Sequence, residues 1–129
     1  MKRSLLLGLG LLTALPLAGR TIADADGTNA VVGEAAGAPY LVKLGVAAAI
    51  HNRKTLHGVY GFNARHNASE PAWVWRDAAR AWSQSVTNDP TKGAVNFGCQ
   101  ADVAKGTFKG LHLTVVLGTG RHATYFFKP

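Results

Sequence analysis

Cysteine and acidic residues are scarce in this chain of 129 residues, which has one cysteine and seven aspartates and glutamates. The single thiol, Cys99, excludes an internal disulfide and leaves no second thiolate for a zinc site. None of the five histidines lies in an HExxH motif. We therefore expect neither a metal nor another cofactor.

Several catalytic motifs are also missing. No glycine-rich stretch leads from a predicted strand into a helix, which disfavours nucleotide binding. No serine lies in a GxSxG motif, so a serine hydrolase lacks its nucleophile turn. The residues around Cys99 show no acid–base pattern for a catalytic thiol.

Positive charge is abundant instead, because 14 lysines and arginines give the chain a net charge of +7. Such a charge favours anionic polymers, which include nucleic acids, teichoic acids, lipid headgroups and peptidoglycan with its peptide carboxylates. The basic residues are scattered along the chain and do not cluster with aromatic residues. A nucleic-acid partner is therefore not expected.

The N-terminus has the pattern of a secretory signal. Lys2 and Arg3 precede an apolar run over residues 5–17, and Ala23-Asp24-Ala25 offers the small residues that a signal peptidase requires. We predict a signal peptide at residues 1–25, a single domain at residues 26–129, and a secreted, periplasmic or cell-envelope location. After cleavage we expect a monomer without stable membrane insertion. An uncleaved N-terminal anchor is the alternative.

Helical patterns occupy the first part of the domain. A short first helix carries residues 30–34 and ends near Gly37, and Pro39 begins a second helix that runs to about Asn52. Apolar residues at three- and four-residue steps predict a third helix over residues 71–86, in which Trp75 and Trp82 face the core. Residues 54–71 lack a sustained period and are interpreted as a long functional loop. The inward positions of the second helix are Leu41, Leu44, and Val46 or Ala48.

Strand patterns follow at residues 94–97, 111–117 and 125–127. Asp89 lies in a turn over residues 88–93, where an aspartate bonds nearby backbone N–H groups, so we interpret it as structural. Helices first and strands later predict an α+β domain, with a small antiparallel sheet at one end of a helical core.

Glu34 is the one acidic residue between positions 31 and 53, a stretch rich in alanine, valine and leucine. A carboxyl group partly withdrawn from water prefers its neutral form, so its pKa rises from about 4.3 toward roughly 6, which suits a general acid. Glu34 is therefore the catalytic candidate, and a solvated glutamate near a helix end is the alternative. No convincing second carboxyl accompanies it, because Asp77 lies beside Arg76 and Arg80, and Asp89 and Asp102 lie in turn-like contexts.

Four motifs in a fixed order resemble those of the SleB/CwlJ-type cell-wall hydrolases, which include the spore-cortex-lytic enzymes and their phage and bacterial relatives. The resemblance covers about residues 30–129. Two departures concern Gly98-Cys99, where the family has an aromatic residue or an asparagine pair, and one extra residue after His122. The four motifs are GEAAGAPYLVKLGVAAAIHNR at 33–53, HGVYG at 57–61, AWSQS with NDPTKGA at 81–94, and GRHATYF at 120–126.

This resemblance implies a compact lysozyme-like α+β fold and a peptidoglycan glycan strand as substrate. It also implies cleavage of the linkage between muramic acid and glucosamine by a lytic-transglycosylase route, with the catalytic glutamate at Glu34. Glycosidases ordinarily use two carboxyls. A single acid suffices if Glu34 protonates the glycosidic oxygen and then accepts the proton of the sugar C6 hydroxyl, which yields a 1,6-anhydro product.

A glycan groove would be lined by aromatic rings that stack on sugar faces and by polar groups that bond hydroxyls. For the aromatic residues the alternative is core packing, and for His122 it is a structural hydrogen bond. A non-catalytic wall-binding module of the same fold is the alternative to the enzyme. The aromatic candidates are Tyr60, Phe62, Trp73 and Tyr125, and the polar candidates are Asn63, Asn67 and His122.

Overall fold

Four α-helices, three strands and two short 3-10 helices build the domain in the computed structural model, which describes residues 21–129. The 3-10 helices span Arg65–Ser69 and Gly120–His122. In chain order the other elements are α1 (Asp24–Ala35), α2 (Tyr40–Arg53), α3 (Ala72–Gln84), β1 (Asn96–Gly98), α4 (Gln100–Ala104), β2 (His112–Leu117) and β3 (Thr124–Lys128).

The three long helices pack against one another and form the core. Small side chains allow this close packing, since every residue of α2 from Val42 to Ile50 is buried. In α3 the side chains of Val74, Ala78 and Trp82 recur at four-residue steps and are buried, as an amphipathic helix requires. The Trp82 indole reaches the start of α1 and donates to Asp24 Oδ1 at 3.0 Å.

The sheet is antiparallel throughout, with the strand order β1-β3-β2. Phe126 in the central strand is fully buried and lies against α2 at Gly45, where a Cβ atom would be 2.8 Å from its ring. Leu117 of β2 reaches the same glycine, where a Cβ atom would be 2.6 Å from its Cδ1, so the sheet packs on the helical core through large side chains that meet Gly45. The predicted α+β class is confirmed.

The predicted elements and the structure differ in several details. Helix α1 begins earlier than predicted, at Asp24, and the five-residue helix α4 was not predicted. The long loop at 54–71 contains a 3-10 helix at 65–69. The prediction that Leu41 faces inward is wrong, because Leu41 is 49% exposed in the first turn of α2.

The N-terminal predictions fall mostly outside the described residues, since the apolar run at 5–17 is not among them. The predicted cut after Ala25 lies within the first turn of α1. Within residues 21–129, no helix combines the length and the apolar character that a membrane crossing requires.

Candidate active site

An open groove of about 600 Å³ lies between the end of α1 and the sheet. One wall comes from residues 34–38 at the α1–α2 corner, with Val42 and Val46 of α2 behind them. Residues 96–99 and Asp102 of α4 line the groove from the sheet side, and residues 121–124 line it near the corner, where a Cβ atom on Gly37 would be 3.8 Å from the His122 ring. Arg53, Gly58 and Tyr60 close one side.

Glu34 lies on this groove in the last turn of α1 and is half-buried. Its Oε2 accepts a hydrogen bond of 2.6 Å from the backbone N–H of Gly61. Burial raises the pKa of Glu34 above its ordinary value of 4.5, and the charge of Asp102 adds to the rise. The Gly61 hydrogen bond and the charge of Arg53 oppose the rise, but burial is the largest effect.

Two glycines bring the loop close enough for this contact. A Cβ atom on Gly33 would lie 1.8 Å from the Gly61 carbonyl oxygen, and one on Gly61 would lie 2.6 Å from the Glu34 backbone nitrogen. Position 33 of α1 is a glycine because the loop backbone packs directly on it and leaves no space for a side chain.

Asn67 links the same loop to α1 by hydrogen bonds. Its side-chain amide donates to the carbonyl of Gly61 at 2.9 Å and to Oδ1 of Asn29 on α1 at 3.1 Å. Because Asn67 is only 2% exposed, its predicted role as a ligand for sugar hydroxyls is wrong. It positions the loop that holds Glu34.

Lys43 holds the α1–α2 corner that carries Glu34. Its side chain is fully buried, and its ammonium group donates to the carbonyls of Ala36 at 2.9 Å and Ala38 at 2.6 Å. Both carbonyls lie just after the end of α1, where backbone C=O groups have no N–H partner within the helix. Burial lowers the pKa of Lys43, while the negative charges of Asp77 and Glu70 oppose that change.

The structure brings three of the predicted site residues into the groove: Glu34, Tyr60 and His122. Tyr60 is 91% exposed at the rim, so its ring is open to a ligand. His122 is half-buried and lines the groove beside the α1–α2 corner, where a Cβ atom on Gly37 would be 3.8 Å from its ring.

Besides Asn67, four predicted residues lie outside the groove lining. Trp73 is on α3, where its ring lies 5.5 Å from the Lys43 ammonium group. Phe62 packs against the core. Asn63 has a left-handed backbone (φ 58°) and donates through its N–H to Asn29 Oδ1, and the Tyr125 hydroxyl donates to Gln100.

Sequence reasoning missed three charged residues that line the groove, namely Arg53, Arg121 and Asp102. Arg53 is the last residue of α2, and its guanidinium donates to the His57 carbonyl at 2.8 Å. The only sequence feature that pointed to Arg53 was its position at the end of the first SleB-like motif, at 33–53. Asp102 was judged to lie in a turn, and nothing local indicates that α4 faces Glu34.

Asp89 has the structural role that the sequence predicted. Its carboxylate accepts hydrogen bonds from the backbone N–H groups of Thr91 and Gly93 and from the side chains of Thr91 and Asn52. Burial alone would raise the pKa of Asp89, but these hydrogen bonds outweigh it and lower the pKa. The turn at 88–93 is thereby tied to the end of α2.

In the part of the chain that the structure describes, no group of three histidine, cysteine, aspartate or glutamate side chains is arranged to hold a metal ion.

A helical core with a small antiparallel sheet, and a half-buried glutamate on an open groove, define a lysozyme-like α+β domain. The chain matches no protein-family model and no curated protein. Among solved structures it is similar to the catalytic domain of the germination-specific lytic transglycosylase SleB from Bacillus anthracis, with 25% identity and a TM-score of 0.62. That match covers 81% of this chain and 93% of the other.

The catalytic domain of the Bacillus cereus SleB protein has the same fold, with 21% identity and a TM-score of 0.59. It covers 81% of this chain and 88% of the SleB domain. The resemblance to SleB-type cell-wall hydrolases that the sequence motifs indicated is confirmed by these structures.

Proposed function

We propose that this protein is a peptidoglycan-lytic enzyme that cleaves glycan strands between muramic acid and glucosamine, with Glu34 as its general acid. One observation carries the proposal: Glu34 is half-buried on an open groove, where burial raises its pKa. The fold shared with SleB catalytic domains supports the substrate class.

Glu34 is held in a way that suits proton donation. The Gly61 N–H occupies Oε2. The proton of the neutral acid therefore belongs on Oε1, which is left to face a glycosidic oxygen. Because the acid is withdrawn from water, it stays protonated at a higher pH than a surface glutamate would.

The reaction needs no external nucleophile. Glu34 gives its proton to the glycosidic oxygen as the bond from that oxygen to C1 breaks, and the bonding electrons leave with the departing sugar. The Glu34 carboxylate then takes the proton of the C6 hydroxyl, whose oxygen bonds to C1. The product is a 1,6-anhydro sugar, and the acid is restored. General acid–base help of this kind contributes roughly 10² to 10⁴-fold.

Other groove residues would position the strand. The exposed ring of Tyr60 offers a face on which a sugar can stack. Arg53 and Arg121 line the same groove and offer positive charge to the peptide carboxylates of peptidoglycan. The excess of basic over acidic residues would draw the enzyme to the anionic wall.

A non-catalytic wall-binding module is the competing function. Binding a glycan does not require a carboxyl group whose ionisation is opposed by burial, and such a group destabilises the fold at neutral pH. The half-buried position of Glu34 therefore favours the enzyme.

Substitution of the acid tests the proposal. Glu34→Gln keeps the shape of the side chain and an acceptor for Gly61, but it cannot donate a proton from a carboxyl group. We expect clearing of purified cell walls to fall by roughly 10² to 10⁴-fold, with unchanged circular dichroism. Mass spectrometry of fragments released by the wild type should show anhydro ends.

Glu70→Gln is the matched control, because it makes the same chemical change on a residue that pairs with His66 outside the groove lining. It should clear walls like the wild type. Undiminished clearing by Glu34→Gln would remove Glu34 from the mechanism, and reducing ends in place of anhydro ends would replace the transglycosylase route with hydrolysis.

A further inference from the structure

A second carboxylate shares the groove with Glu34. Asp102 belongs to α4 and lines the wall opposite the α1–α2 corner. Its charge is near enough to raise the pKa of Glu34. The two side chains come from positions far apart in the chain, and the sheet that carries β1 brings them to one cleft.

The contacts of Asp102 fix one oxygen and leave the other for a ligand. Within residues 21–129, both hydrogen bonds of its carboxylate end on Oδ2, from the Cys99 backbone N–H at 3.0 Å and from the Cys99 thiol at 3.2 Å. Gly98 makes room for this arrangement, because a Cβ atom there would lie 2.8 Å from Asp102 Oδ2. The carboxylate is therefore oriented before any substrate arrives.

The two acids are driven toward opposite protonation states. The backbone N–H of Cys99, and then its thiol, lower the pKa of Asp102, and the charge of Lys105 adds to this effect. Burial raises the pKa of Glu34. A pair of carboxyl groups whose surroundings separate their pKa values in this way is the usual arrangement of an acid and an ionised stabiliser in glycan cleavage.

We propose that Asp102 is a second catalytic residue, whose ionised Oδ1 contacts the sugar and stabilises the positive charge that develops at C1 as Glu34 protonates the leaving oxygen. This inference rests on the proposed function. No bond forms to Asp102: the proton moves from Glu34 to the leaving group, and Asp102 acts only through its charge. The other charged or titratable groups on the groove are Arg53, Arg121, His122, Cys99 and Tyr60.

Asp102→Asn is the informative variant, because its amide oxygen can still accept from Cys99 while the negative charge is lost. We expect kcat on soluble glycan fragments to fall roughly ten- to a hundredfold, because a negative charge on the groove is lost where a cation develops. KM should change little. The alkaline limb of the pH profile should move to lower pH, because Glu34 loses a negative neighbour.

A merely structural role for Asp102 would produce a different result. If it only caps α4, Asp102→Asn should keep the wild-type kcat and pH profile, and this outcome overturns the proposal. Asp102→Glu, which restores the charge, should recover part of kcat if the charge matters. Asp26→Asn on the exposed first turn of α1 is the matched control and should leave both kcat and the pH profile unchanged.

The variants also separate this inference from the proposed function. An active wild type, an inactive Glu34→Gln and a fully active Asp102→Asn would overturn the role of Asp102 alone. A wild type that releases no fragments from purified walls would overturn both. If Asp102→Asn loses its native circular dichroism, Asp102→Ser, which keeps a short acceptor without charge, decides the question by the same two readouts.

Discussion

Two carboxyl groups, Glu34 in α1 and Asp89 in the turn after α3, show how the same functional group acquires different roles. Glu34 accepts one backbone hydrogen bond and is half-buried against small apolar residues, so its pKa rises. Asp89 accepts four hydrogen bonds in the turn at 88–93, so its pKa falls despite its desolvation. The balance between burial and hydrogen bonds, and not burial alone, decides which acid keeps a proton to donate.

The comparison also separates two kinds of restraint. Asp89 is held by side-chain and backbone donors that stabilise its charge. Glu34 is held mainly by the packing around it, including the Gly33–Gly61 backbone contact and the Lys43 clamp on the corner. Packing can place a carboxyl group without ionising it, and this is what a general acid requires.

The largest effect should come from breaking that packing. Gly33→Ala should destabilise the fold by about 1–3 kcal/mol or more, because the new Cβ atom would overlap the Gly61 carbonyl. Displacing Gly61 also removes the hydrogen bond to Glu34, so lytic activity should fall with stability. Chemical denaturation measures the first effect, and wall clearing well below the midpoint measures the second.

Gly37→Ala is the control for this substitution. The nearest atom to a Cβ at Gly37 is in the His122 ring at 3.8 Å, which is an ordinary contact. Its stability should stay within about 0.5 kcal/mol of the wild type. Equal stabilities of the two variants would show that the loop does not need the close approach at Gly33.

Replacing either acid should have a medium effect on stability: loss of Asp89 should destabilise the fold, and loss of Glu34 should stabilise it. Asp89→Ala should cost about 1–3 kcal/mol at neutral pH, because Asn52 and the turn N–H groups lose their acceptor. Since the folded pKa of Asp89 is lowered, its stabilisation is present above its ordinary value of 3.8 and is lost as the pH falls through the folded value. The cost should therefore shrink in acid.

Glu34→Gln should stabilise the fold at neutral pH instead, by a fraction of a kcal/mol up to about 1 kcal/mol. The folded pKa of Glu34 is raised above 4.5, so its favourable contribution is present below 4.5 and is lost as the pH rises through the folded value. Urea unfolding at several pH values tests both signs. A Glu34→Gln variant that is less stable than the wild type at pH 7 would contradict the role assigned to burial.

The smallest effect concerns a third carboxylate, Asp24, which accepts one hydrogen bond from Trp82 at the start of α1. A chain that begins at Asp26, as the predicted signal cleavage would leave it, should be about 1 kcal/mol less stable than one that begins at Ile22. Thermal unfolding of the two chains measures the difference. N-terminal sequencing of the exported protein shows whether the cell makes the cut after Ala25, and an uncut N-terminus would contradict the proposed signal.

Local patterns were sufficient for much of the fold. Pro39 and the alanine-rich run predicted α2 to within a residue at each end, and the four-residue spacing of apolar side chains predicted α3. The turn chemistry of Asp89 was also predictable, because an aspartate bonds N–H groups two to four residues ahead of it. These features depend on contacts between near neighbours in the chain.

The composition of the groove was less predictable. Trp73 and Tyr125 were proposed as groove residues, yet one lies over Lys43 and the other bonds Gln100. Their types fit a glycan site, but the direction of each side chain depends on the elements that pack beside it. Asp102 was passed over for the same reason, because its neighbours in sequence do not reveal that α4 faces α1.

The sequence by itself determined the α+β order of elements, the SleB-like motifs, and the placement of a lone acid in a stretch of small apolar residues, since each follows from local pattern and composition. Only the tertiary structure decided that Gly61 reaches Glu34, that Lys43 secures the corner beneath it, and that Asp102 shares its groove. These contacts join residues from separate helices, loops and strands, and their distances are set by how the backbones approach when the core packs.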